Sequence, residues 1–255
     1  MNPTMSPGRL LLVPNTLDLG ADPVDIRQQL PLGVLQRAAG IAHWLAEDAR
    51  STRAFLKRVH EVQPLTLALQ AIDIRELPRP PKGRAASDAV PWRELLAPAL
   101  AGHDIGLISE AGLPAVADPG AAAVAAAHAL GIAVLPLPGA SSLLLALAAS
   151  GLNGQSFAFV GYLPQDALQR AARLKELQAL SRRSGQTQLL IETPYRNAAL
   201  LRALLETLDA ETRLAVSCGL GLPDGWTRSE RIAGWRRQPQ VMPERVPAVF
   251  AFLAV

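Results

Sequence analysis

Cysteine and lysine are scarce in this sequence. Cys218 is the single cysteine among 255 residues, which excludes an internal disulfide and a zinc site built on cysteine ligands. We expect it to be a small buried residue beside a strand, in a protein of the reducing cytoplasm. Lysine occurs only at positions 57, 82 and 175, so arginine carries most of the positive charge behind the formal net charge of +3. Arginine suits bidentate phosphate contacts, although genome composition can produce the same bias.

A long uninterrupted apolar segment is also missing. The most apolar tract, residues 121–149, is broken by His128, Pro136 and Pro138, so we do not expect it to cross a membrane. The first eight residues lack the charged and then apolar order of a signal peptide. The sequence therefore predicts a soluble, cytoplasmic protein.

Several signatures of cofactor and metal sites are absent. The sequence has neither a GxGxxG dinucleotide fingerprint nor a Walker lysine, which disfavours chemistry with NAD or ATP. Its four histidines, His43, His60, His103 and His128, do not have metal-ligand spacing, and no Ser-His-Asp order is convincing. We predict that no metal is bound.

Short apolar runs alternate with helical patterns, which indicates an α/β fold. The length suits two domains, and we place them at residues 1–138 and 139–255, with a mainly parallel sheet in the first and a mixed sheet in the second. Residues 226–232 and 248–255 have no long helix between them. We therefore expect these two segments to pair as antiparallel strands.

Three local predictions concern the first domain. Residues 65–77 are apolar and partly β-branched, so we predict a strand there. Ser51 or Thr52 is expected to cap the helix that carries Phe55 and Leu56. The proline-rich residues 78–91 predict a loop that could close over a substrate.

Two glycine turns each follow an apolar run and precede a helix. The first contains Ser109, Glu110, Ala111 and Gly112, and its glutamate could accept hydrogen bonds from a ribose or an ammonium group. The second is Pro138-Gly-Ala-Ser-Ser142, where the glycine would let the backbone approach a ligand and a serine could cap the next helix. An ordinary strand-to-helix turn and simple capping are the alternatives.

Two charged clusters follow strands in the same way. Glu192-Thr-Pro-Tyr-Arg196 places an aromatic ring and a cation beside a carboxylate, and the alternative is an ion pair that fixes a helix to the sheet. Glu47, Asp48 and Arg50 form a similar group, for which solvated charges at a helix start are the alternative explanation.

These segments together resemble the tetrapyrrole methylase superfamily of S-adenosylmethionine-dependent methyltransferases. They are most similar to the branch that 2′-O-methylates a cytidine of small-subunit ribosomal RNA. The resemblance covers roughly residues 9–220 and rests on five motifs in the right order. The motifs are Ala46-Glu-Asp-Ala-Arg50 with Thr52, Ile108-Ser-Glu-Ala-Gly-Leu-Pro114 with Asp118-Pro-Gly120, Leu135-Pro-Leu-Pro-Gly139, Phe159-Val-Gly-Tyr-Leu-Pro164, and Glu192-Thr-Pro-Tyr-Arg196.

The resemblance implies two α/β/α domains with S-adenosylmethionine in a cleft between them, no metal, and often a homodimer. It implies a set of donor-binding residues: Ser109, Glu110, Ala111, Gly112, Pro138, Gly139, Ala140, Ser141, Tyr162, Leu163, Glu192 and Thr193. The residues expected to contact the methyl acceptor are Glu47, Asp48, Arg50, Tyr195 and Arg196. A ribose hydroxyl also has to lose a proton, for which Glu110 or Glu192 could be the base.

The sequence also departs from the family pattern. Its first turn is Pro14-Asn-Thr-Leu-Asp-Leu-Gly20, where the family usually has a glycine-bearing Pro-x-Gly-Asn-Leu segment. Glu110 replaces an aspartate and Leu113 a threonine, and these changes fall mostly on the acceptor side. Methylation of a tetrapyrrole or another small metabolite, and a donor-binding module without catalysis, are therefore the alternative functions.

Overall fold

A computed structural model describes residues 7–18, 24–78 and 90–255. The chain divides into two compact units, Met1–Ala140 and Ser141–Val255, called unit 1 and unit 2 below. The predicted loop at 78–91 lies almost wholly outside the described residues. In the part of the chain that is described, no helix is both long and apolar enough to cross a bilayer.

Unit 1 is built on a five-stranded sheet in the order β3-β2-β4-β1-β5, and every neighbouring pair is parallel. All carboxyl ends of these strands therefore lie at one edge of the sheet. The strands are β1 (Arg9–Leu12), β2 (His43–Ala46), β3 (Asp73–Glu76), β4 (Ile105–Ile108) and β5 (Ala133–Pro136).

The helices of unit 1 cover both faces of this sheet. They are α1 (Leu32–Ala39), α2 (Ala49–Val62), α3 (Trp92–Leu95), α4 (Ala97–Leu100) and α5 (Ala121–Ala129). Side chains alternate along each strand, so Leu11 packs with α1 and α2 while the adjacent Leu10 packs with α4 and α5. The result is an α/β/α arrangement with one apolar core on each face.

Gly106 in the central strand β4 shows how closely the first core is packed. A Cβ at this position would lie 2.6 Å from the Trp44 ring of the neighbouring strand. The indole is fully buried, and its Nε1 donates a 3.2 Å hydrogen bond to the carbonyl of Ile41. A glycine in the central strand therefore makes room for the largest buried side chain of unit 1.

Unit 2 contains a mixed sheet in the order β6-β7-β10-β8-β9. The first pair is parallel and the other three pairs are antiparallel. The strands are β6 (Phe157–Gly161), β7 (Thr187–Ile191), β8 (Arg213–Cys218), β9 (Trp226–Arg231) and β10 (Ala248–Leu253).

The sheet of unit 2 also has a core on each face. Phe250 and Phe252 of β10 pack against the helices of one face, and Val249 and Ala251 pack against α6 on the other. Cys218 is buried within β8, close to the environment expected for it. The helices are α6 (Ser142–Ser150), α7 (Ala167–Ser184), α8 (Asn197–Thr207) and α9 (Ile232–Arg237).

The two sheets confirm the predicted fold class, but three local predictions were wrong. Segments 226–232 and 248–255 do not pair with each other, because β8 lies between β9 and β10 and pairs with both. The segment 65–77 contains a 3₁₀ turn at Leu69–Ala71, and its strand is only Asp73–Glu76. The side chain that caps α2 is Asp48, which accepts a 2.6 Å hydrogen bond from Ser51 N.

Candidate functional site

Four turns come together at the carboxyl edge of the unit 1 sheet. They follow β1 at Asn15, β2 at Glu47, β4 at residues 109–112 and β5 at residues 138–140. Open α/β sheets bind ligands at this edge, where backbone groups and helix starts point away from the sheet. This edge is therefore the candidate ligand site of unit 1.

Asn15 holds the first glycine turn in place. Its side-chain amide donates to the carbonyls of Ser109 and Glu110 at 3.1 and 2.9 Å, and its backbone exchanges two hydrogen bonds with Gly112. These bonds involve a residue that is almost fully buried. The sequence comparison treated this segment as a departure from the family pattern, so the function of Asn15 as a clamp was missed. A polar residue in the turn shortly after an apolar strand is the signal that could have indicated it.

The two glycine turns are adjacent in space. Gly112 has a φ of +67°, a conformation that favours glycine, and a Cβ there would lie 3.5 Å from the carbonyl oxygen of Ala140. The sequence interpretation requires these two bends to be neighbours, and the structure brings them together within unit 1.

The second glycine turn is needed for a different reason from the one expected. A Cβ on Gly139 would overlap the ring of Pro14, so the close approach is to this chain's own first turn. The predicted capping by a serine side chain is also not seen: Ser141 occupies the N-cap position of α6 without a side-chain capping bond. The second glycine turn therefore packs against the turn that follows β1, and the Ser141 hydroxyl does not cap α6.

Ser109 provides an observation that points to a ligand. The residue is 2% exposed, and its Oγ has no hydrogen-bond partner within the described part of the chain. A buried hydroxyl without a partner is costly unless a water or a ligand satisfies it. It lies at the start of the turn that the resemblance assigns to the methyl donor.

The predicted acceptor residues of unit 1 lie beside this turn. Glu47 Oε2 accepts a 3.0 Å hydrogen bond from the backbone N of Glu110. Asp48, Arg50 and Glu110 line one cavity of about 640 Å³, together with Asn15 and residues from the face of α2. Arg50 is the exposed cation among these residues.

A buried ion pair forms one wall of the cavity, and sequence reasoning did not find it. Asp18 is fully buried, and Arg58 binds both of its carboxylate oxygens at 3.1 and 2.8 Å. Arg58 also donates to Thr16 Oγ1 and to the carbonyl of Val24. These bonds satisfy both partners, which a buried pair needs to be tolerated. The pair therefore fixes the chain around Thr16 to helix α2.

Asp118 differs from the other carboxylates at this edge. It is half-buried and makes no hydrogen bond or ion pair with another described residue. Burial, followed by repulsion from Glu47 and Glu110, raises its pKa from about 3.8 to about 7. In contrast, the hydrogen bond from Ser51 lowers the pKa of Asp48. Asp118 occurs in one of the motifs that carry the resemblance, but the motif alone did not point to a function for this carboxylate.

The predicted site residues of unit 2 lie at the ends of the neighbouring strands β6 and β7. Glu192 Oε1 accepts bonds from Arg196 Nε and Nη2 at 3.0 and 2.6 Å and from the backbone N of Thr193 at 2.7 Å. The Arg196 guanidinium lies 5.5 Å from the centre of the exposed Tyr195 ring. These contacts favour the alternative in which Glu192 and Arg196 hold the start of α8. Tyr162 is exposed, and Leu163 is buried.

Across the residues that the structure describes, no cluster of His, Cys, Asp and Glu side chains has the arrangement of a metal site. The fold is that of an α/β protein with two adjacent glycine turns at the sheet edge where proteins of this class bind small molecules. Residues 32–232 match the family model for Tetrapyrrole (Corrin/Porphyrin) Methylases. The chain belongs to this family.

Individual relatives are consistent with this assignment. The chain is 34% identical over 200 residues to "Ribosomal RNA small subunit methyltransferase I" of Mesorhizobium japonicum, which covers 78% of this chain and 62% of that protein. It is 31% identical over 194 residues to the protein of the same name from Halalkalibacterium halodurans, covering 76% and 58%. The chain thus spans about 60% of the length of these relatives.

A solved structure shows the same fold at low sequence identity. The methyltransferase CobJ aligns with a TM-score of 0.55 and 16% identity, covering 96% of this chain and 93% of that one. At this identity the likeness establishes the fold and carries no information on the substrate.

Proposed function

We propose that this protein is an S-adenosylmethionine-dependent methyltransferase whose acceptor is a ribose 2′-hydroxyl of small-subunit ribosomal RNA. The observation that carries the proposal is the contact between the two glycine turns at the carboxyl edge of unit 1. Family membership supports methyl transfer, and the names of the relatives support the RNA acceptor.

The donor would be held at residues 109–112 and 138–141. The buried Ser109 Oγ has no hydrogen-bond partner in the described part of the chain, so it could bond to a polar group of the amino-acid or ribose part of such a nucleoside. The bound donor supplies an electrophilic methyl group on a positively charged sulfur. The resemblance adds Tyr162, Leu163, Glu192 and Thr193 of unit 2, and these assignments stay predictions.

The acceptor would bind beside the donor turn. Arg50 offers an exposed cation for a phosphate, while Asp48 and Glu110 line the adjoining cavity. Tyr195 and Arg196 are a second predicted group, and an exposed tyrosine ring is suited to stacking on a base. The main contribution of these residues is positioning, because methyl transfer needs the acceptor oxygen in line with the donated methyl at a short distance.

Donor binding by paired glycine variants tests the first part of the proposal. Gly112 and Gly131 have φ values of +67° and +71°, so alanine strains the backbone similarly at both. Only Gly112 belongs to the donor turn. We expect Gly112→Ala to weaken the binding of S-adenosylhomocysteine at least about 5-fold in calorimetry, consistent with backbone strain of about 1 kcal/mol. Gly131→Ala should bind as the wild type does. If the wild type does not bind S-adenosylhomocysteine, the proposal is overturned.

Transfer of a tritiated methyl group tests the acceptor. The labelled donor is incubated with protein and, in separate reactions, with small ribosomal subunits, with total RNA and with a small-molecule extract. Label in small-subunit RNA, at a ribose, supports the proposal. Label in the extract alone would instead identify a tetrapyrrole or other metabolite as the acceptor. Donor binding without label in any fraction would indicate a module that has lost catalysis.

We also propose that the protein acts in the cytoplasm and as a homodimer. The lone cysteine supports the first. The resemblance supports the second, because members of this superfamily are often homodimers. Light scattering after size-exclusion chromatography should give twice the chain mass of 27.1 kDa. A mass of one chain over the whole concentration range would reject the dimer.

A further inference from the structure

The carboxylates at the donor edge differ in how many partners they have. Asp18 is neutralised by Arg58, Glu47 accepts the backbone N of Glu110, and Asp48 caps α2. In unit 2, Glu192 Oε1 is occupied by Arg196 and Thr193. A carboxylate that already accepts such bonds is a weak proton acceptor, because they stabilise its charged form.

Asp118 accepts no such hydrogen bond or ion pair from another described residue. It is half-buried, the charged groups that act on it are Glu47 and Glu110, and both carry the same sign. Glu47 follows β2 and Glu110 follows β4, and the bond from Glu110 N to Glu47 Oε2 ties their segments together. Asp118 lies in the segment that joins the carboxyl end of β4 to α5, so it belongs to the same edge as the donor turn and the unpartnered Ser109 Oγ.

The loop that carries Asp118 is folded tightly against this edge. Gly112, Ala115, Ala117 and Gly120 all have positive φ, and two of them are not glycine. A Cβ on Gly120 would lie 3.2 Å from Leu107 of β4, so the end of the loop packs directly on the central strand. A short segment with such a backbone holds its side chains in a defined place.

We infer that Asp118, and neither the exposed Glu110 nor the ion-paired Glu192, accepts the proton of the acceptor hydroxyl. This inference rests on the proposed methyl transfer. The hydroxyl gives its proton to Asp118 Oδ while its oxygen forms the new C–O bond. The electron pair of the breaking C–S bond stays on sulfur, which changes from a sulfonium to a neutral thioether. Asp118 then returns the proton to water.

The environment of Asp118 suits this reaction. Burial and the two neighbouring carboxylates raise its pKa to about 7, and a general base acts best when its pKa lies near the working pH. The groups that shift its pKa are two carboxylates and include no cation, so nothing among them stabilises its charged form. A base of this kind is half deprotonated at neutral pH, whereas an ordinary aspartate is fully deprotonated but accepts a proton less readily.

The test is the pH dependence of methyl transfer at saturating donor. For the wild type we expect activity to rise with pH through an acid limb near pH 7. Asp118→Asn should lower kcat about 10²–10⁴-fold and remove this limb, as loss of a general base does, while calorimetry shows unchanged affinity for S-adenosylhomocysteine. Asp118→Glu should restore part of kcat together with a shifted limb, which a merely structural residue would not do.

Two further variants make the result decisive. Glu110→Gln removes one like charge from Asp118, so the acid limb should move to lower pH while transfer continues. Asp224→Asn changes an exposed aspartate of unit 2 and should leave the profile unchanged. An unchanged acid limb in Asp118→Asn, or its loss in Glu110→Gln, would overturn the inference. If the wild type binds no donor or transfers no methyl group, the proposed function itself has failed.

Discussion

Among single residues, Asp118 couples the stability of unit 1 to pH. Its folded pKa of about 7 lies above the ordinary 3.8, so the fold favours the protonated form. That favourable contribution is complete below about pH 4 and is lost as the pH rises through 7. The shift corresponds to about 4 kcal/mol, which solvent screening of the half-exposed group reduces to about 2 kcal/mol.

We therefore expect Asp118→Asn to be more stable than the wild type at pH 8, by about 2 kcal/mol, and to differ little at pH 4. Urea unfolding at the two pH values measures this difference. The exposed Asp224→Asn is the control and should match the wild type at both. A stability gain that is equal at pH 4 and pH 8 would mean that the carboxylate charge is not the cause. Higher stability with lost activity would be typical of a catalytic group.

The sequence predicted the turns of the site better than its individual side chains. Gly112 and Gly139 were identified because a glycine between a strand and a helix is visible in the sequence. Asn15 and Asp118 were not assigned a function, because the chemistry of both comes from residues distant in sequence. Asn15 bonds to residues 94 to 97 positions away, and Glu47, one of the two carboxylates that act on Asp118, is 71 positions away. Only the folded chain shows which carboxylates face a cation and which face each other.

At the scale of elements, helix α2 begins at a residue that has two proposed functions. Asp48 caps the helix, and it also lines the cavity assigned to the acceptor. Asp166 caps α7 in the same way, by accepting a 2.9 Å bond from Gln169 N, but has no proposed contact with RNA. The two caps can therefore be compared directly.

Alanine at either cap should cost about 1 kcal/mol of stability, and asparagine should cost little, because its amide oxygen can accept the same bond. We expect Asp48→Asn and Asp48→Ala both to alter RNA affinity in a filter-binding assay, since each removes the carboxylate. Asp166→Ala should lose stability without a change in RNA affinity. If all three variants bind RNA with the affinity of the wild type, Asp48 is not part of the acceptor site.

The elements that were predicted wrongly share one physical cause. The segment 65–77 has strand-like residues, yet its first part forms a 3₁₀ turn, and only residues 73–76 pair with β2. The pairing of β9 with β10 was expected because they are successive strands, but β8 enters between them. Local sequence reports the preference for a strand, whereas the partner is chosen by contacts across the whole unit.

In the molecule as a whole, the stability of each unit depends on its own five-stranded sheet. β10 lies between β7 and β8 and supplies the pairing on both sides. Its removal exposes the edges of two strands and takes Phe250 and Phe252 out of the core. Deletion of residues 248–255 should therefore unfold unit 2, while unit 1 keeps its parallel sheet.

Hydrogen exchange read by mass spectrometry can follow the two units separately in this truncated protein. We expect β4 and β1 to stay protected and β7 and β8 to lose protection. Deletion of Val255 alone, an exposed residue beyond β10, is the matched control and should leave both sheets protected. Loss of protection in both units would show that unit 1 does not hold its fold without unit 2.

The central place of β10 also sets an order of events during biosynthesis. The sheet of unit 1 is complete once Pro136 has been made, whereas that of unit 2 waits for Leu253, the last residue of its middle strand. At a synthesis rate of about 5–20 residues per second, the edges of β7 and β8 that pair with β10 stay unpaired for several seconds. Translation speed through the codons between β7 and the end of β10 should therefore affect how much of the protein escapes aggregation in the cell.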